Sequence, residues 1–166
     1  SRKKRRLPMP DLNLWDFAVR CYAQPGVESV CLELQSQGAD VCVLLCAAWL
    51  EARGVACNEE RLHALQEVAA PWQRDVAEPL RALRQAWRPT AQSDEALREL
   101  RETLKTMELQ AERHLLARLQ TTSDDWAVSC EPNLWLKTLA PSNHCRAGLE
   151  TLRSAAYRIQ RELDDF

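Results

Sequence analysis

A run of ten residues in the first third of the chain, Val41–Leu50, contains no charge, no glycine and no proline. An amphipathic surface helix shows a polar residue at every third or fourth position, so a segment that is apolar on all sides is typical of a helix enclosed by others. Asp40 is suited to cap its first turn, and Gly54 suits the left-handed position beyond its end. The run is too short to cross a bilayer, which needs about 20 residues. We therefore predict a buried central helix that neighbouring helices must cover.

The remaining composition favours helices as well. The chain has 166 residues with only four glycines, and strand-like alternation of polar and apolar residues is hard to find. A chain of this length buries a substantial core. We predict an all-α fold in which residues 13–166 form one compact bundle of about seven or eight helices around the segment after Asp40. A subdivision into residues 13–88 and 93–166 is a possible refinement.

Capping residues and prolines predict where the other helices begin, bend and end. A short connection over residues 89–92 is the expected linker, and Pro79 is expected to bend the helix that contains it. Pro71 suits the first turn of that helix, and a short helix is expected from about Pro132 to Leu139. The other expected caps, at the starts of the first, fourth, longest and last helices, are Asn13, Asn58, Ser93 and Ser142.

Charge is unevenly distributed along the chain. The net charge is −2, but five of the 22 basic residues are consecutive. In the rest of the chain, the 24 acidic residues outnumber the remaining basic residues. An acidic globule with a short basic arm is not typical of a general nucleic-acid binder. We predict that residues 1–12 form a flexible arm, which either holds the protein to nucleic acid or an anionic surface or serves as a solubilising terminus. The basic residues of the arm are Arg2, Lys3, Lys4, Arg5 and Arg6.

The cysteines favour a reducing compartment. There are seven, an odd number, and most lie inside apolar helical patterns rather than in loops. Close cysteine pairs of the kind that hold structural zinc are absent, so we predict neither a metal site nor a cofactor. No apolar run of a signal peptide follows the basic block, and we predict a cytoplasmic protein without a transmembrane segment.

Two segments of the chain carry a recognisable pattern. The first segment begins with Leu14-Trp15-Asp16, and the second begins with Pro71-Trp72, so each contains a tryptophan near its start. The pattern as a whole comprises Leu14-Trp15-Asp16-Phe17-Ala18, Tyr22, Pro25-Gly26-Val27, Cys31-Leu32, Leu34-Gln35, Asp40-Val41 and Trp49-Leu50, then Pro71-Trp72-Gln73-Arg74, Val76 and Pro79-Leu80-Arg81. It resembles an uncharacterised family of small helical bacterial proteins, found mainly in proteobacteria and described as a domain of unknown function. The resemblance implies a helical cytoplasmic protein and supplies no activity, substrate or cofactor.

Four arginines are the candidate partner-binding residues. Arg74, Arg81 and Arg88 recur every seven residues, and Arg84 lies between the last two. Such a stripe is suited to recognise phosphates or carboxylates, because guanidinium groups bind both in a two-pronged geometry. Alternatively, it is a solvated helix face whose arginines pair with neighbouring acids such as Asp75.

Six tryptophans suggest a second kind of site. Three of them belong to the segments that carry the family pattern, and with a few nearby polar residues they could line a ligand pocket between the first and central helices. The residues of this possible pocket are Trp15, Asp16, Tyr22, Gln35, Trp49, Trp72 and Gln73. Alternatively, the aromatic residues are core and Asp16 serves only the start of its helix.

These patterns favour a function without catalysis. Phosphate-binding loops, dinucleotide fingerprints, zinc-protease motifs and nucleophile elbows are absent from the sequence. We therefore predict a non-enzymatic interaction or regulatory protein that binds an intracellular macromolecular partner through the arginine stripe and the basic arm. The alternative is a small-molecule-binding protein or enzyme that uses the tryptophan-lined pocket.

Overall fold

The computed structural model describes residues 12–131, 133–141 and 145–165 of the chain. Apart from an isolated bridge between Val55 and Val128, these residues form helices joined by turns, so the predicted all-α fold is confirmed. A π-helical turn, Gln73–Ala77, connects the fourth helix directly to the fifth. The helices are α1 (Leu14–Tyr22), α2 (Val27–Ser36), α3 (Val41–Ala52), α4 (Glu59–Trp72), α5 (Glu78–Ala91), α6 (Glu95–Ser123), α7 (Trp135–Leu139) and α8 (Arg146–Asp164).

The chain divides into two compact units. The first unit combines the residues up to Asn58 with those from Asp125 onwards, and it contains α1, α2, α3, α7 and α8. The second unit, Glu59–Asp124, contains α4, the π-helical turn, α5 and α6.

Helix α3 is the centre of the first unit. Every residue from Cys42 to Glu51 is buried, and α1, α2, α7 and α8 all pack against the helix. The backbone N–H of Val43 donates to Asp40 Oδ1 at 3.2 Å, which caps the first turn. Gly54 adopts the left-handed conformation beyond the helix end, with φ of 78°. The prediction of a central helix covered by its own chain is therefore confirmed.

One charged side chain is buried at the end of this apolar helix. Glu51 is only 2% exposed, and the Nε of Arg153 donates to its Oε2 at 2.6 Å. The backbone N–H of Leu136 donates to the other carboxylate oxygen at 3.4 Å, and the side-chain amide of Asn133 donates to the Glu51 carbonyl at 2.8 Å. The hydrogen bond to Glu51 raises the pKa of the Arg153 guanidinium above its ordinary value. This network joins α3 to α7 and α8.

Removing one partner of this pair should destabilise the protein. The substitution Arg153→Ala leaves the Glu51 carboxylate buried without its cation, and because Arg153 is itself 24% exposed we expect a loss of about 2–3 kcal/mol. The matched control is Glu150→Ala, which removes the exposed second partner of Arg153 and should cost about 0.5 kcal/mol or less. Urea unfolding followed by circular dichroism measures both. Equal losses for the two variants would contradict the structural role assigned to Glu51.

Buried thiols make the first unit sensitive to alkaline pH. Cys21 in α1 and Cys31 in α2 are both fully buried. Desolvation raises the pKa of Cys21 to about 12, with a smaller contribution from Cys31, and it raises the pKa of Cys31 to about 11. Both thiols are therefore protonated at neutral pH.

Stability should fall as the solution becomes alkaline. The native pKa values exceed the ordinary value of 9.0, so the thiols of the unfolded chain ionise first as pH rises. The stability that the protonated, buried thiols contribute is therefore complete below pH 9 and is lost as pH rises towards 11 and 12. At pH 10 we expect each thiol to lower the free energy of unfolding by about 1.4 kcal/mol relative to pH 8. Urea unfolding at both values measures the decline. In a Cys21→Ala, Cys31→Ala variant the decline should be smaller, and an unchanged decline would refute the assignment.

The second unit is a long helical hairpin. Residues 59–91 form an almost continuous helix that runs antiparallel to α6, and Trp72 and Arg84 both contact it. Pro79 explains the π-helical turn, because proline has no N–H to donate to the Asp75 carbonyl and its ring would clash with that carbonyl in a regular helix. The wider turn before it relieves the clash, and the N–H of Glu78 donates to the carbonyl of Gln73.

Several predicted boundaries in this hairpin were wrong. Pro71 does not begin a helix, because α4 continues past it to Trp72. The predicted linker over residues 89–92 is mostly helical, since α5 runs through Pro89 to Ala91. The reason is that Arg98 donates to the carbonyls of Ala91 and Gln92, which satisfies the end of the helix.

One cap and one helix start also differ from prediction. Asp94, not Ser93, caps α6, and its Oδ1 accepts the backbone N–H of Leu97 at 3.1 Å. The short helix α7 begins at Trp135, later than Pro132. The predicted cap at Ser142 lies outside the described residues.

Candidate functional site

Three of the four predicted partner-binding arginines share one side of α5. Arg81, Arg84 and Arg88 are spaced by three and four residues, which places them in one stripe of a regular helix. Arg74 belongs to the π-helical turn, where the wider coil interrupts the seven-residue spacing that links it to Arg81 in the sequence.

Two of the four arginines are neutralised by carboxylates. Arg74 pairs with the adjacent Asp75 at 2.9 Å on the protein surface, and their hydrogen bond raises the pKa of Arg74 and lowers that of Asp75. Arg84 reaches across the hairpin to Glu108 of α6, with 2.5 Å between Nε and Oε1. The side chains of this second pair are only 27% and 14% exposed, so it belongs to the contact between the two helices.

The other two arginines of the stripe have no such partner. Within the described residues, neither Arg81 nor Arg88 has a carboxylate oxygen within ion-pairing distance. Arg88 is exposed and Arg81 is half-buried at the surface of α5. Their guanidinium groups are therefore charged donors available to a binding partner.

Helix α6 supplies arginines that the sequence reasoning missed. Arg101 donates through Nε to the carbonyl of Arg84 at 3.0 Å, and Arg98 donates to the carbonyl of Ala91 at 3.2 Å. These residues repeat the three-residue spacing of Arg81 and Arg84 within a second helix, a signal that is visible in the sequence. Only the pairing of α5 with α6 shows that the two stripes meet.

Trp49 and Trp72 of the predicted pocket occupy different units. Trp49 is buried in α3, where its indole N–H donates to the Leu12 carbonyl at 3.2 Å and the Arg53 guanidinium lies 4.3 Å from the ring centroid. Trp72 lies in the second unit. Its N–H donates to the Ala111 carbonyl at 3.0 Å, and Arg118 lies 4.1 Å above its ring. Both indoles are held by cation–π contacts and hydrogen bonds.

The other predicted pocket residues are divided in the same way. Trp15, Tyr22 and Gln35 are half-buried in the first unit, and Asp16 is exposed in the first turn of α1. Gln73 lies in the π-helical turn of the second unit. The tryptophan-lined ligand pocket stays a prediction.

An open groove of about 330 Å³ lies elsewhere in the first unit. It runs between the turn after α1 and the exposed side of α8, and Arg158 donates across it to Gln24 Oε1 at 2.8 Å. None of the predicted partner-binding or pocket residues lines this groove. Its lining residues are Gln24, Pro25, Glu150, Thr151, Ser154, Ala155 and Arg158.

Other sequence predictions meet the structure only in part. In the part of the chain that the structure describes, no three histidine, cysteine or acidic side chains come together as a metal site would require. No helix in the same ranges has both the length and the apolar character needed to cross a membrane. The basic block Arg2–Arg6 lies outside the described residues.

Fold and surface together define an all-α protein whose helical hairpin exposes arginine side chains along one side. The chain belongs to the family described as "Protein of unknown function (DUF2390)", whose model matches residues 13–119. The match covers α1 to α5 and most of α6, and it confirms the resemblance that the two tryptophan-containing segments indicated. No curated protein matches the chain, and no solved structure does.

The contact between Arg84 and Glu108 should stabilise the hairpin. Because both side chains are largely shielded from solvent, we expect a coupling energy of about 1 kcal/mol, above that of an exposed pair. A double-mutant cycle with Arg84→Ala, Glu108→Ala and both substitutions, followed by urea unfolding, measures this energy. The exposed pair of Lys105 with Glu102 provides a matched cycle with a smaller expected value. Equal coupling energies in the two cycles would show that shielding from solvent does not strengthen the pair of Arg84 with Glu108.

Proposed function

We propose that this protein is a non-enzymatic interaction or regulatory protein that binds an intracellular macromolecular partner through the arginine side chains of α5. The observation that carries the proposal is the contrast within one stripe of arginines. Arg84 is neutralised by Glu108, whereas the described residues provide no carboxylate for Arg81 or Arg88. Two arginines of the same helix thus keep their charge for an external ligand.

The position of these side chains favours binding. Arg81 and Arg88 are separated by seven residues, which is about 10.5 Å along a helix. They lie on α5, which Arg84 connects to α6, and Trp72 connects the preceding helix α4 to α6, so little backbone order is lost when a partner binds. Guanidinium groups held at fixed spacing form two-pronged hydrogen bonds to carboxylates or phosphates, which gives specificity as well as affinity.

The basic block at the start of the chain is a second candidate contact. Arg2, Lys3, Lys4, Arg5 and Arg6 form a compact positive charge that would raise the rate of association with an acidic partner. This contribution should decrease strongly as the salt concentration rises, because exposed charges are screened.

Reversing the charge of the two unpaired arginines should abolish partner binding. With Arg81→Glu and Arg88→Glu, we expect at least about a tenfold loss of affinity, because each substitution replaces an attraction by a repulsion. The measurement is quantitative affinity purification from the native cell, followed by titration of the captured partner against the purified full chain.

The matched control reverses two exposed arginines of the first unit, Arg20→Glu with Arg146→Glu. It introduces the same change of net charge and should leave the partner bound. If the Arg81 and Arg88 variant retained every partner of the unaltered protein, the proposed binding surface would be wrong. Loss of the partner from both variants would attribute binding to overall charge rather than to α5.

A further inference from the structure

The two arginine-containing stripes of the hairpin lie side by side. On α6, Arg98 and Arg101 are three residues apart, and they face α5 through bonds to the carbonyls of Ala91 and Arg84. Because α5 and α6 run antiparallel, a step forward along one helix corresponds to a step back along the other. Arg84 therefore lies level with Arg101, and Arg88 lies close to the level of Arg98.

The α6 arginines keep their positive charge. In the described hydrogen bonds, Arg98 and Arg101 donate to backbone carbonyl oxygens, which are neutral, and no carboxylate lies within ion-pairing distance of either guanidinium. With Arg81 and Arg88, they make four guanidinium groups without a carboxylate in ion-pairing distance among the described residues; Glu102, which is paired with Lys105, also interacts electrostatically with Arg101. We call Arg81, Arg88, Arg98 and Arg101 the arginine quartet.

The charges around the quartet limit what it can bind. Arg84 is bonded to Glu108 and Lys105 to Glu102, so the neighbouring side chains add little net positive charge. The second unit as a whole contains twelve acidic and ten basic residues. A nucleic-acid duplex is typically bound by a broader basic surface that makes about 6–10 phosphate contacts. A short acidic segment needs only a few guanidinium partners.

We propose that the arginine quartet binds a short acidic helix of a protein partner, with carboxylates from that helix seated between α5 and α6. This inference rests on the proposed function and adds the chemistry of the partner and the contribution of α6. Carboxylates seven residues apart on a helix are about 10.5 Å apart, the same spacing as Arg81 and Arg88. Each guanidinium can then hold one carboxylate, while Arg98 and Arg101 retain the bonds that fix their position.

A designed peptide tests this chemistry directly. The probe is a fluorescent, alanine-rich helical peptide of about three heptads with glutamates in a single stripe, and the matched probe has the same composition with its glutamates distributed around the helix. With the full chain near physiological salt, we expect the striped peptide to bind at least about fivefold more tightly. Equal affinity for the two peptides, or preferential binding of a duplex RNA of about 20 base pairs, would overturn the proposal.

Substitutions in α6 separate charge from structure. Arg98→Gln with Arg101→Gln removes both charges but keeps side-chain N–H donors for the Ala91 and Arg84 carbonyls. We expect this variant to bind the striped peptide at least about fivefold more weakly, while Arg98→Lys with Arg101→Lys stays within about twofold. Thermal unfolding by circular dichroism monitors the fold of both variants. Full affinity in the glutamine variant, or equal loss in both variants with the fold intact, would refute the role of charge.

The natural partner distinguishes this inference from the proposed function. If the Arg81 and Arg88 reversal releases the captured partner but the glutamine variant binds it with full affinity, the proposed function stands and the quartet is wrong. If the reversal releases nothing, both proposals fail. The quartet is supported if the Arg81 and Arg88 reversal and the glutamine variant both lose affinity for the partner while the lysine variant still binds it.

Discussion

Burial of α3 on all sides is the constraint on which the first unit depends. An apolar helix without a polar face gains stability only when other helices cover it, and α1, α2, α7 and α8 provide that cover. The single charged residue in the buried part of α3, Glu51, joins it to α7 and α8 through Arg153, Asn133 and the backbone of Leu136. Because an unpaired buried carboxylate is costly, this network favours one arrangement of the three helices. Segments far apart in the sequence are thereby brought into a single unit.

In the second unit, polar and charged side chains contribute to the contact between the helices. Polar bonds connect its two long helical segments: Trp72 bonds to the Ala111 carbonyl, Arg84 to Glu108 and Arg101 to the Arg84 backbone. Several polar and charged side chains therefore serve the contact between the helices. Others, such as Arg81 and Arg88, remain charged at its edge. The same residue type thus has two roles, determined by whether an acceptor from the opposite helix lies within reach.

Membership in a family of unknown function leaves the surface chemistry as the guide to function. The described chain combines a well-covered core with a hairpin whose unpaired arginines, Arg81 and Arg88, occupy positions seven residues apart on one helix. This arrangement is suited to recognition, because the helices are already ordered before a partner binds. Neutralisation of Arg84 by Glu108 within the hairpin confines the unpaired charge to particular positions, which favours a partner with a matching pattern over one that is merely acidic.

Local patterns in the sequence determined much of the fold. The apolar run after Asp40 predicted the buried helix, and Asn13 and Asp40 were correctly predicted as caps, because the side chains that stabilise a helix start lie within three residues of it. Pro79 predicted a disturbance that takes the form of a π-helical turn. Pro89 was less informative, because α5 continues through it to Ala91, where Arg98 bonds to the last carbonyls.

The tertiary structure alone decided which charged residues meet. Glu51 and Arg153 are 102 residues apart in the chain, and Arg84 and Glu108 are 24 apart. Sequence spacing specifies the face of a helix on which a residue lies, but not which face of another helix it will contact. The division of the predicted pocket residues between two units, and the meeting of the α5 and α6 arginines, depend on that register. The sequence determined the helices and their faces, and packing between helices determined which arginines were left unpaired.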